Sequence, residues 1–169
     1  MGGNVTVNNA GTYAAGASAG SIEIAGNLGL GVSSTTAIEL GGTSFTLNGT
    51  EEYDRTKLTG ATSVLTLGGD LDISLINGFT LAANQAFGIF HLGDTATRNG
   101  TFSGLAGDGS LVGTFGGTEL FITYSGNFGD SGTVDSSGGN DIVLYTVPEP
   151  ASAALGALGM ILLLRRRRA

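Results

Sequence analysis

The sequence predicts an all-β body followed by a short tail of different character, and three observations predict it. Gly, Thr, Ser and Asn separate short runs rich in Val, Ile, Leu and Thr, with glycine at 31 of 169 residues. Within those runs apolar and polar residues tend to alternate, the period of a half-buried strand. No stretch before Pro148 carries apolar residues at helical spacing between capping residues.

The strand signals run in order from Gly20 as "SIEIAG", "NLGLGV", "TAIELGG", "SFTLNG", "SVLTLGG" and "DLDISLING". In "DLDISL", Leu71, Ile73 and Leu75 fall on one face, with Asp70, Asp72 and Ser74 on the other. The later runs "FGIFHL", "ELFITY" and "DIVLYTV" are apolar on both faces and predict buried strands. Short strands punctuated by Gly or Gly-Gly suit a solenoid of stacked coils, and equally a β-sandwich. Periodicity leaves both open.

Composition narrows the class. Glycine without a G-X-Y period excludes collagen, and 41% hydrophobic residues is too apolar for a disordered chain. A chain of 169 residues suits one domain plus a tail. With no cysteine, neither a disulfide framework nor a thiolate metal site can form. Asp and Glu outnumber Lys and Arg by 14 to 7, and only Arg55, Lys57 and Arg98 precede the tail. An acidic body with three scattered bases has no electrostatic footprint for nucleic acid.

The body is expected to span 1–146 and the tail 147–169. The tail reads "VPEPASAALGALGMILLLRRRRA". Ala151 to Leu164 carries no charge, and as a helix it would be about 21 Å long at ~1.5 Å per residue. That is short of the ~30 Å hydrocarbon layer, a gap that arginine snorkelling and local thinning partly close. Arg165, Arg166, Arg167 and Arg168 should stay cytoplasmic, which places the body across the membrane. Pro148 and Pro150 break any helix and predict an extended, accessible boundary just outside the bilayer.

This tail resembles the PEP-CTERM sorting signal: Pro148, Glu149 and Pro150, then a short hydrophobic segment, then an arginine cluster. The resemblance implies a partner, an exosortase of the membrane that processes the chain near the motif. It also implies a transient inner-membrane anchor, then release to the cell surface or to an exopolysaccharide-containing matrix. The stretch from Gly20 to Leu75 resembles autotransporter-associated β-strand repeats. "GTFSGL", "FITYSG" and "GGNDIVLYTVPEP" resemble the closing segment that precedes such tails. Those resemblances imply a right-handed parallel β-helix ending in an antiparallel cap. Export implies a signal peptide, and "MGGNVTVNNAGTYAAGASAG" has neither a charged n-region nor an apolar h-region. The body is therefore expected to be truncated at its N-terminus, with its first coil uncapped.

Other constellations contain residue types used in catalysis or metal binding. "GASAG" around Ser18 fits a nucleophile-elbow pattern, with Asp70 and His91 following in hydrolase order, but the elbow needs a strand before it and a helix after it. Here Ala/Gly-rich sequence precedes it and a strand signal follows. The lone His91, in an apolar strand, reads as a partly buried structural residue. Asp130, Asp135 and Asp141 with Asn140 offer oxygen ligands of the kind Ca²⁺ prefers, at spacings that match neither an EF-hand nor a nonapeptide roll. Ordinary turn chemistry accounts for them better. Glu51, Glu52 and Asp54 form one local cluster, without the two-sided geometry of a glycosidase. Asn4, Asn48 and Asn99 head N-x-T sequons, read as coincidence. No cofactor is expected. The resulting expectation is a non-catalytic exported surface or matrix protein. The alternatives are an adhesin-like polysaccharide-binding module and, behind it, a β-helix polysaccharide lyase.

Overall fold

The computed structural model describes residues 2–16, 18–45, 51–93, 95–129 and 133–148. The described chain is all-β. In chain order the strands are β1 (Val5–Val7), β2 (Thr12–Ala14), β3 (Ser21–Ile24), β4 (Leu28–Leu30) and β5 (Thr35–Phe45). There follow β6 (Glu51–Tyr53), β7 (Arg55–Leu58), β8 (Val64–Thr66), β9 (Asp70–Leu75) and β10 (Ala86–Leu92). The remainder are β11 (Thr97–Asn99), β12 (Ser110–Phe115), β13 (Thr118–Phe128), β14 (Val134–Asp135) and β15 (Asp141–Thr146). The expected helix over 151–164 lies outside the described residues.

Three parallel ladders organise the first two-thirds. One runs β1-β4-β8-β11, the second places β5 between β2 and β9, and the third runs β3-β7-β10. Apart from β6, which pairs back antiparallel on β5, successive strands from β1 to β11 visit the ladders in turn, so like residues stack in columns. Ile24, Leu58 and Leu92 share one register position in the third ladder and are all buried. Leu28 and Leu65 pair in the first and are fully buried. The interior between ladders is narrow enough for Tyr13 of β2 to meet Thr56 of β7, hydroxyl to hydroxyl at 2.7 Å.

The corners stack by side-chain hydrogen bonds. Asn4 Oδ1 accepts the Asn27 N–H at 2.9 Å, and Asn27 Oδ1 accepts the Val64 N–H at 2.9 Å. Each asparagine thus satisfies a backbone amide at a corner of the next strand layer. Asn4, read from sequence only as a sequon, is a stacking residue.

At β10 the third ladder changes sense. β15 joins β10 antiparallel, β13 joins β15, and β12 forms a hairpin with β13. The runs predicted to be apolar on both faces are those that lie between neighbours here: Phe87, Ile89, Phe90, Ile122, Ile142, Val143 and Leu144 are fully buried. The face assignment in "DLDISL" also stands, with Leu71, Ile73 and Leu75 half-buried against the core and Asp70, Asp72 and Ser74 exposed. Two strands precede Gly20, where the sequence showed little alternation. In β2 a single buried side chain, Tyr13, carries the strand, too little for a periodic pattern.

Candidate functional site

The C-terminal tail begins where β15 ends. β15 closes at Thr146, whose N–H donates to the Gln85 carbonyl at 2.9 Å. The Thr146 hydroxyl donates to the Ala82 carbonyl at 2.6 Å and accepts the Gln85 N–H at 2.9 Å. Immediately after this clamp Val147 is 41% exposed and Pro148 is exposed. A cleft of about 340 Å³ lies beside them, lined by Ala83, Thr114, Gly117, Thr118 and Glu119. Glu149, Pro150, the 151–164 segment and Arg165, Arg166, Arg167 and Arg168 lie outside the described residues. Among the described residues no helix is long and apolar enough to cross a membrane.

The Ca²⁺ candidates are not brought together among the described residues. Asp141 is buried, and its two oxygens accept the N–H groups of Leu92 and Phe128, each at 2.6 Å. It opens β15 just beyond the Phe90–Ile142 pair and opposite Gly126, and its carboxylate bonds one amide of β10 and one of β13. Burial raises its pKa, opposed by those two hydrogen bonds and by His91 and Arg55 nearby. Asp135 is exposed on β14, and Asp130 lies outside the described residues.

The elbow pattern takes a different form from the one a hydrolase needs. A strand, β2, does precede Ser18, contrary to the sequence reading, but strand β3 follows it and no helix does. Ser18 is exposed, Asp70 opens β9 opposite Thr35, and His91 lies on β10 opposite Lys57. His91 is half-buried with its ring edge-on to Phe128 at 5.5 Å.

The local acid cluster is structural at its centre. Asp54 is 1% exposed, and it accepts the Gly20 N–H at 2.9 Å and the Glu39 N–H at 2.9 Å. Burial pushes its pKa up to about 6, outweighing both hydrogen bonds, with Glu39 and Glu51 adding to the rise. Glu52 accepts the Ser44 N–H at 2.9 Å, and Glu51 accepts the Ser21 hydroxyl at 2.5 Å.

Sequence reasoning missed Arg55. It is 2% exposed, and its guanidinium lies 4.3 Å from the ring centres of both Phe45 and Phe128. Phe45 in turn meets Tyr53, and Tyr53 meets Phe87 edge-on. Nothing local signals this, because Phe45, Arg55 and Phe128 come from three distant strands. Comparison of the chain with protein-family models, with curated proteins and with solved structures gives no match.

Proposed function

We propose that this chain is a non-catalytic, exported surface or matrix protein, sorted and processed through its C-terminal motif. One observation carries the reading: the ordered series Pro148-Glu149-Pro150, an uncharged 14-residue run and four terminal arginines follows a body whose last strand stops at Thr146. The hydroxyl clamp at Thr146 and the exposure of Val147 and Pro148 support it, because a processing enzyme needs an accessible, extended segment. The body is a parallel β-helix with an antiparallel cap. The three parallel ladders and the columns of stacked asparagine and leucine support that form over a sandwich of antiparallel sheets. The body's role is that of a scaffold within exopolysaccharide. The strand after Ser18 and the structural commitment of Asp54 and Asp141 weigh against a hydrolase or lyase role for those residues.

The partners are then an exosortase and the inner membrane, with exopolysaccharide at the destination. The test expresses the chain behind a functional export signal, with and without the processing enzyme. A shortened form lacking Arg165 to Arg168 should reach the surface only when the enzyme is present. Replacing Pro148, Glu149 and Pro150 by alanine should block the shortening, because alanine favours a continuous helix through the scissile region. Surface protein that mass spectrometry finds intact through Ala169 would overturn the reading.

A further inference from the structure

One face of the antiparallel strands is buried at the Thr123–Val143–Gly88 row and left partly open at the row beside it, nearer the end of β15. Leu111 pairs with Phe121, Phe121 with Tyr145, and Tyr145 with Ala86, in one row across β12, β13, β15 and β10. Directly opposed residues project to the same side of a sheet. The adjacent row, Ile122, Leu144 and Phe87, projects to the other side and is fully buried. The first row is left partly open: Leu111 is 47% exposed, and Phe121, Tyr145 and Ala86 are half-buried. The Phe121 and Tyr145 rings lie 5.8 Å apart with a 32° tilt. Val147, 41% exposed, lines one cleft with Thr114 and Glu119, which pair with each other across β12 and β13 on the side that carries Phe121. Of the strongly exposed large apolar side chains among the described residues, only Val32 lies elsewhere.

We propose that this face rests on the lipid interface of the bilayer while the tail is held in the membrane. The proposal depends on the tail reading given above. Only Glu149 and Pro150 separate Pro148 from the apolar run. Even fully extended, that link spans about 11 Å at ~3.6 Å per residue. The headgroup zone on one side of a bilayer is itself about 5–8 Å deep. The surface carrying Val147 is therefore held next to the lipid interface, where an apolar face can settle onto the headgroups. Phe121, Leu111 and the hydroxyl-tipped Tyr145 suit that boundary, where one end of a side chain is apolar and the other wet. The neighbouring cleft contributes Glu119 and no basic residue, which favours zwitterionic over anionic lipid.

The test uses the full chain reconstituted through its tail into phosphatidylcholine vesicles, with and without lipid carrying a headgroup nitroxide. NMR signals of Leu111 and Phe121 should lose intensity in the labelled vesicles, while those of Val32 and β1 keep theirs. Leu111→Ser with Phe121→Ser should restore the backbone signals of β12 and β13 without releasing the chain from the vesicles. A chain that floats with the vesicles while Leu111 and Phe121 stay as sharp as Val32 overturns this proposal alone. A chain that fails to float overturns the tail reading and this proposal with it. Shifts at Leu111 and Phe121 on adding soluble dextran, without any loss of intensity in vesicles, assign the face to neutral glycan and also overturn it.

Discussion

Glu39 and Asp54 are tied to each other in both directions. The Glu39 N–H donates to Asp54 Oδ2 at 2.9 Å, and the Asp54 N–H donates to the Glu39 carbonyl at 3.0 Å. With its other oxygen Asp54 holds the Gly20 N–H, so one carboxylate joins the turn before β3, the middle of β5 and the step from β6 to β7.

That carboxylate predicts a pH dependence. Its folded pKa of about 6 lies above the ordinary 3.8, so the folded state binds more protons than the unfolded one between those values. Stability should therefore fall as pH rises through that window and level off above it, by at most about 3 kcal/mol from this group. Asp141 is raised as well and acts in the same direction. Asp54→Asn removes the Asp54 part of the slope. In urea melts, the stability of wild type minus that of the variant should rise as pH is lowered from about 7 to about 4.

Arg55 should resist conservative replacement. Lysine has no planar group to lie against both the Phe45 and Phe128 rings, so Arg55→Lys should cost about 1–3 kcal/mol despite keeping the charge. Arg55→Ala should cost more, since it leaves a hole among buried rings. Chemical denaturation reads both.

Two glycines of like backbone should behave differently. Gly69 and Gly78 have φ of +69° and +72°, a region where a side chain costs about 1–2 kcal/mol. A Cβ on Gly78 meets nothing within 4 Å, whereas one on Gly69 runs into the Ser34 backbone. Gly78→Ala should lower stability by about 1 kcal/mol. Gly69→Ala should lower it well beyond that, since the obstruction is backbone of the neighbouring strand layer. Thermal melting separates the two.

Thr146→Val keeps the shape of the side chain and deletes its hydroxyl. The Gln85 N–H and the Ala82 carbonyl each lose their side-chain partner, at a cost of about 1–3 kcal/mol. The effect should be local. Amide exchange should accelerate at Gln85 and at the end of β15, while β4 and β8 stay protected.

Sequence alone determined the strand class, the position of most strands from Ser21 onward, and the faces of β9, because a period of two is a local property of the chain. The change of composition after Thr146 is also visible in the sequence, since a compositional break needs no partner to be seen. What it could not determine is which strands become neighbours. Ladder bonds between distant strands carry no side-chain signature, so β10 gives no local sign that β7 lies parallel on one side of it and β15 antiparallel on the other. The short strand β2 was missed for the same reason, its one buried side chain being supported from β5 and β7. Arg55, Asp54 and Asp141 look like surface charges in sequence and are buried in the fold. Only tertiary structure could decide that, because a charge leaves water when rings and backbone N–H groups from distant strands replace its hydration shell.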